Sequence, residues 1–100
     1  MLEKLQLSAL LNTYSALLTD RQRAAIKMYC DCDCSLSEIA EELGISRQGV
    51  RDAIVKGEKS LVELEAALSL SEFTSTLVKA LADDDVAAIK QAVSNFVIKE

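Results

Sequence analysis

Apolar residues recur along this chain at intervals of three and four, the spacing that returns to one face of an α-helix. From Leu2 to Leu17 the stripe is Leu7, Leu10, Leu11, Tyr14 and Leu17, with Leu18 just beyond it. A second stretch, ending near Cys30, offers Ala24, Ala25, Ile26, Met28 and Tyr29 to a core. Three candidate capping boxes, in which a hydroxyl takes the third helical N–H and a Glu or Gln reaches back to the cap's own N–H, stand at Thr19–Gln22, Ser35–Glu38 and Ser69–Glu72. Each predicts a helix start. After Ser69 the pattern carries Phe73, Leu77 and Leu81 through Ala82. The Asp83–Asp85 run then reads as the N-terminal cap of a last helix with Val86, Ile89, Val93, Phe96 and Val97 on one stripe.

Ser35 to Ile54, SLSEIAEELGISRQGVRDAI, is the most structured of these patterns. Leu36, Ile39, Ala40 and Leu43 give its first helix an apolar face, and Ala40 is small where a second helix must cross closely. Gly44 falls where the chain turns, at a position suited to the positive φ that only glycine adopts without steric cost. Ser46 is a good N-cap for the second helix, with Ile45 and Val50 spaced as a staple around it, and Val50 and Ile54 form its inward face. The prediction is a helix-turn-helix, with positive φ at Gly44. No stop follows Ile54: Gly57 weakens the helix, but Leu61, Leu64 and Leu68 continue the 4-3-4 spacing, so the second helix runs about 22 residues, or ~33 Å. The expected fold is an all-α single domain over 1–100, with a helix-turn-helix core at 19–68 and a helical extension at 69–100.

Composition narrows the function classes. Half of the residues are hydrophobic, but the N-terminal apolar stretch is broken by Gln6, Ser8, Asn12 and Thr13, so it reads as an amphipathic helix and neither as a signal peptide nor as a membrane span. A cytoplasmic protein without membrane insertion is expected. The net charge of −5 argues against a nonspecific nucleic-acid coat, yet residues 46–59 hold Arg47, Arg51, Lys56 and Lys59 against Asp52 and Glu58, a local +2. Residues 60–100 carry seven acids against three lysines, a local −4. The chain has no His, and its glycines, Gly44, Gly49 and Gly57, are isolated, so it offers no phosphate-cradling loop and no general base of the usual kind. No enzyme and no cofactor are implied. Cys30, Cys32 and Cys34 alternate with Asp31 and Asp33, a spacing that cannot converge on a metal from a regular helix; no metal site is expected, and three unpaired thiols suit a reducing compartment.

Arg47, Gln48 and Arg51 sit at the second, third and sixth positions from Ser46, where a docked helix-turn-helix reaches base edges. Arg pairs bidentately with guanine and Gln with adenine. Ser46, Ser35 and Ser37, with the N–H groups that open each helix, are candidates for phosphate contacts, as are Lys56, Lys59, Arg21 and Arg23. The alternative for all of these residues is a solvated surface with no nucleic-acid role. Asp52, beside Arg51, repels phosphate unless it accepts from a cytosine.

Tyr14 to Arg23 (YSALLTDRQR), Ser35 to Ile54 and Glu58 to Leu68 (EKSLVELEAAL) resemble, in that order, the YlxM-like helix-turn-helix proteins, a family connected with the bacterial signal recognition particle pathway. The same stretch is more distantly similar to region 4 of sigma factors, which reads promoter DNA. The resemblance covers the first two-thirds of the chain; beyond Leu70 the helices rest on periodicity alone. It implies apolar packing roles for Cys30 and Cys34, leaving Cys32 exposed. It departs from the family after the recognition helix's Ile, where this chain has Val55 and then Lys56, and at Asp52-Ala53-Ile54, where the family has Asp-Asn-Ile. Two functions stay open: a DNA-binding transcription regulator, or a module that binds protein or ribonucleoprotein of the signal recognition particle pathway. A homodimer is expected, because the helix running to Leu68 and the helices after it carry more apolar surface than one helix-turn-helix covers; the alternative is that the C-terminal helices fold back over the extension of the recognition helix and cover that seam internally.

Overall fold

The computed structural model describes residues 2–97. They form α1 (Lys4–Tyr14), a 3₁₀ turn (Ser15–Leu17), α2 (Asp20–Cys30), α3 (Leu36–Leu43), α4 (Arg47–Leu68), α5 (Leu70–Ala82) and α6 (Val86–Val97), with no strand among the described residues. The chain forms two compact units, Met1–Ala67 and Leu68–Glu100.

The first unit is a packed core. Leu7, Leu11 and Tyr14 of α1, Ile26 of α2, Ile39 of α3 and Val50, Ile54 and Leu61 of α4 are all at most 3% exposed. The sequence expectation of one helix from Leu2 to Leu17 is corrected: the α-helix ends at Tyr14 and tightens into the 3₁₀ turn. That change of register turns Leu17 outward, at 64% exposure, and brings Leu18 into the core. Arg23 holds the turn in place, donating from Nε to the Ser15 carbonyl at 2.9 Å and from Nη2 to the Leu18 carbonyl at 3.0 Å.

Gly57 does more than weaken α4. It is buried against α2, where a Cβ would lie 2.5 Å from Ile26 Cδ1 and 3.4 Å from Gln22 Cβ, so the Ile26 side chain packs into the space a larger residue would fill. Tyr14 closes the far end of this core by donating from its hydroxyl to Glu65 Oε1 at 2.7 Å. Near the N-terminus the Leu2 N–H donates to Glu58, Lys4 pairs with Asp33 while lying over the Tyr29 ring, and Ser8 donates to Asp31. These contacts tie α1 to α4 and to the acidic segment after α2.

The second unit is a two-helix hairpin. Phe73, near the start of α5, stacks on Phe96, near the end of α6, at 4.3 Å between ring centroids, so the helices run antiparallel. Two expectations change here. Ser69 has left-handed dihedrals, φ 52 and ψ 28, and makes no side-chain cap hydrogen bond, whereas a capping-box Ser is extended; the residue is used to break the helix after α4. The Asp run is divided. Asp83 and Asp84 close α5, with Asp84 at φ 52 and the Asp84 and Asp85 N–H groups donating back to the Leu81 and Ala80 carbonyls, and only Asp85 caps α6, accepting from the Ala88 N–H at 3.0 Å.

Candidate nucleic-acid interface

The helix-turn-helix is built by its caps. Thr19 Oγ1 accepts from the Gln22 N–H and the Gln22 side chain accepts from Thr19, both at 3.2 Å, which starts α2. Ser35 and Glu38 make the same reciprocal pair at 3.1 and 2.9 Å, which starts α3. α3 ends at Gly44, φ 67 and ψ 34, where the Ile45 N–H donates to the Ala40 carbonyl at 3.1 Å and the Gly44 N–H to that of Glu41 at 3.4 Å. This left-handed residue satisfies the last carbonyls of α3 and redirects the chain within two residues. Ser46 then caps α4, its Oγ accepting from the Gly49 N–H at 2.9 Å. Gly49 leaves room for that approach: a Cβ there would be 3.2 Å from Ser46 Oγ. Buried Ala40 and Val50 complete the junction.

This scaffold presents the start of α4 to solvent. Arg47, Gln48, Arg51, Lys56 and Lys59 are all exposed, whereas Val50, Ala53, Ile54 and Gly57 are buried. Among the described residues neither Arg47 nor Arg51 is held in an ion pair. Gln48 donates from Nε2 to Asp52 Oδ1 at 3.0 Å, a contact across one helical turn. The pair orients the Gln48 amide, which keeps its oxygen and a second N–H for other partners, and it occupies one oxygen of the Asp52 carboxylate.

The remaining candidates divide. Ser35, Ser37 and Ser46 are exposed at the two helix starts, and the capping hydroxyls of Ser35 and Ser46 accept bonds while retaining a proton to donate. At Ser35 the Glu38 carboxylate is drawn in by the Ser35 N–H and hydroxyl, which lower its pKa, so a negative group already occupies the N-terminus of α3. Glu41 and Glu42 are exposed on the same helix. Arg21 is exposed on α2. Arg23 is spent internally: besides its two carbonyl acceptors, its Nη1 meets Asp20 Oδ1 at 2.9 Å. The sequence carried no clear sign of this, because its acceptors are backbone carbonyls eight and five residues earlier.

The cysteines do not converge. Cys30 and Cys34 are half-buried, Cys32 is exposed, and no three Cys, Asp or Glu among the described residues are placed around a common metal position. Burial, and then the Asp31 charge, push the Cys30 thiol up to about 11, and burial followed by Glu38 raises Cys34, so both stay protonated near neutral pH.

Comparison with known sequences decides the family. The model of the family described as "UPF0122: Putative helix-turn-helix protein, YlxM / p13 like" matches residues 1–97. The chain belongs to this family. A protein of Mycoplasma mycoides named "Probable UPF0122 protein" is 46% identical over 79 residues, covering 78% of this chain and 70% of that one. A "UPF0122 protein" of Streptococcus thermophilus is 42% identical over 81 residues, covering 81% and 72%. A "UPF0122 protein" of Clostridium botulinum is 41% identical over 68 residues, covering 68% and 62%. The family match extends beyond Leu70, where the sequence resemblance stopped, and takes in α5 and α6. Within the family description, the helix-turn-helix of this chain is α3, the Gly44 turn and α4, supported by α1 and α2.

Proposed function

We propose that this protein is a DNA-binding regulatory protein without catalytic activity, reading base edges with the first turns of α4. The observation that carries the reading is the exposure of Arg47, Gln48 and Arg51 on a helix start held by the Ser46 cap and the Gly44 turn. In this arrangement Arg47 and Arg51 pair with guanines, and Gln48, held by Asp52, addresses an adenine. Ser46, Lys56, Lys59 and Arg21 are the phosphate-contacting set; Arg23 is left out because its guanidinium is already bonded within the chain, and Ser35 and Ser37 because the Glu38 carboxylate already occupies the N-terminus of α3. The family's connection with the signal recognition particle pathway makes genes of that pathway the first operators to examine, and the site of action is the cytoplasm.

Fluorescence anisotropy of the full chain with genomic DNA fragments, repeated across a salt series, tests this. Expected is salt-sensitive binding, with Arg47→Ala or Arg51→Ala costing about 1–3 kcal/mol on a cognate fragment. Lys56→Ala is expected to weaken all fragments alike and reduce the salt slope by about one. Absence of salt-sensitive binding even at low salt overturns the reading.

A second reading is favoured by one specific observation. Residues 68–97 expose Leu68, Val78, Leu81, Val86, Val93 and Val97 at 42% or more. In that reading the chain is an interaction module for a protein or ribonucleoprotein component of the signal recognition particle pathway. Co-sedimentation with the purified particle, in the presence of nuclease-resistant competitor DNA, separates the two readings.

A further inference from the structure

We infer that Val55 reads the methyl group of a thymine, which makes it a specificity-determining residue of the DNA site proposed above, the reading on which this inference rests. Gln48, Arg51, Asp52 and Val55 recur at i, i+3, i+4 and i+7, the intervals that stack on one face of a helix, and all four are exposed. The buried residues of α4, Val50, Ala53, Ile54, Gly57 and Leu61, fall at none of these intervals from Gln48, so this face is turned away from the core. Four positions with the same spacing are the ones from which the groove-lying helix of a homeodomain reads bases. A helix laid along the major groove on this face brings Val55 to the base edges together with Gln48 and Arg51.

Val55 is 47% exposed, and its surroundings select what it meets. Its neighbours one turn away on α4 are Arg51, Asp52, Glu58 and Lys59, with Lys56 beside it in sequence. Both acids are already engaged: Asp52 Oδ1 accepts from Gln48 at 3.0 Å, and Glu58 Oε1 accepts from the Leu2 N–H. An apolar protein surface would meet here a lone valine set among charges. The major groove matches the whole arrangement. It offers phosphates to Lys56 and Lys59, a guanine edge to Arg51, and on its floor the one apolar group that a base pair presents there, the thymine C5-methyl. Spacing adds a constraint. Seven residues of helix rise about 10 Å and base pairs follow at about 3.4 Å along the duplex axis, to which the groove is inclined. The adenine for Gln48 and the thymine for Val55 therefore stand about two to three steps apart, with the guanine for Arg51 between them.

The test begins with selection by the full chain from a pool of duplexes randomised at their centre. Fluorescence anisotropy then follows on the enriched duplex, with each thymine in turn replaced by deoxyuridine, which lacks the methyl and keeps every hydrogen-bonding group. The wild-type protein is expected to bind one of these substituted duplexes about fourfold more weakly, the loss that withdrawing one methyl from contact gives. Val55→Ser is expected to bind the thymine and deoxyuridine duplexes alike, and Val55→Thr, which keeps a methyl, to retain the difference. Val62→Ser, at the other exposed valine of α4, 44% exposed, is expected to leave the difference as in the wild type. Far-UV circular dichroism checks the fold of each variant. Failure to enrich any duplex overturns the DNA reading and this inference with it. An enriched duplex indifferent to every thymine replacement overturns this inference alone, with Val55 left to a protein contact or to solvent. So does a difference that survives Val55→Ser in folded protein, or one that Val62→Ser abolishes.

Discussion

Residues 2–67 and 68–97 are assembled from helices whose sequences look alike, each with an apolar stripe at helical spacing, yet the two regions put those stripes to different use. In the first, Leu7, Leu11, Tyr14, Ile26, Ile39, Val50, Ile54 and Leu61 meet from four helices and lose contact with water. In the second, two helices share one seam, and Leu81, Val86, Val93 and Val97 stay in solvent. A stripe is a request for a partner, and only the number of helices around it decides whether the request is met. The two regions also turn their chains by the same device with different residues. Gly44 ends α3 and Asp84 ends α5, both left-handed and both followed by an N–H that donates to the carbonyl five residues before it. Glycine takes that conformation without steric cost and aspartate does not.

Four substitutions sharpen this contrast, in falling order of effect. Leu61→Ala removes a side chain with no exposure from the first core and is expected to lower its stability by about 2–5 kcal/mol, read by urea denaturation. A cost below about 1 kcal/mol would show that the first core is as loosely packed as the hairpin. Gly44→Ala has open space around it, so its cost is conformational alone: about 1–2 kcal/mol, with the slope of the denaturation curve unchanged. Asp84→Gly should act in the opposite direction, stabilising the hairpin by up to about 1 kcal/mol, measured as slower amide exchange in α5 and α6. Val97→Ser, at the most exposed of the hairpin valines, is expected to change the stability of the monomer by less than about 0.5 kcal/mol in a thermal melt at high dilution. A larger loss there would mean that Val97 already has a partner within the chain.

Much of this molecule was legible before any coordinates. The Thr19–Gln22 and Ser35–Glu38 boxes, the left-handed Gly44, the Ser46 cap and an unbroken α4 to Leu68 are all local, made between residues at most six apart, and they occur as the spacing predicts. The exposure of Gln48 and Arg51 followed from the same periodicity, while Arg47, three residues before Val50 and seven before Ile54, is exposed in the first turn of α4. The Ser69–Glu72 spacing marks the start of α5 correctly, but Ser69 caps it in a left-handed conformation without the side-chain cap bond that a capping box supplies.

The amino-acid sequence by itself determined the presence of the helices and the caps and turn of the helix-turn-helix, because each of these rests on backbone groups satisfied by neighbours along the chain. The α1 helix ends earlier than the pattern predicts, and Asp83 and Asp84, read as part of the cap of the last helix, close α5 instead. Tertiary structure decided what those helices meet. Gly57 reads as a weak point in α4 until Ile26 is found packed where its side chain would be. Arg23 reads as a surface cation until its guanidinium is found on the carbonyls of Ser15 and Leu18. Leu17 reads as part of the apolar stripe until a single tightened turn is found to face it to solvent, with Leu18 in the core. Helical periodicity specifies a direction around an axis, and it carries no information about whether another helix lies in that direction or how closely it approaches; that is settled only when all the stripes compete for the same interior.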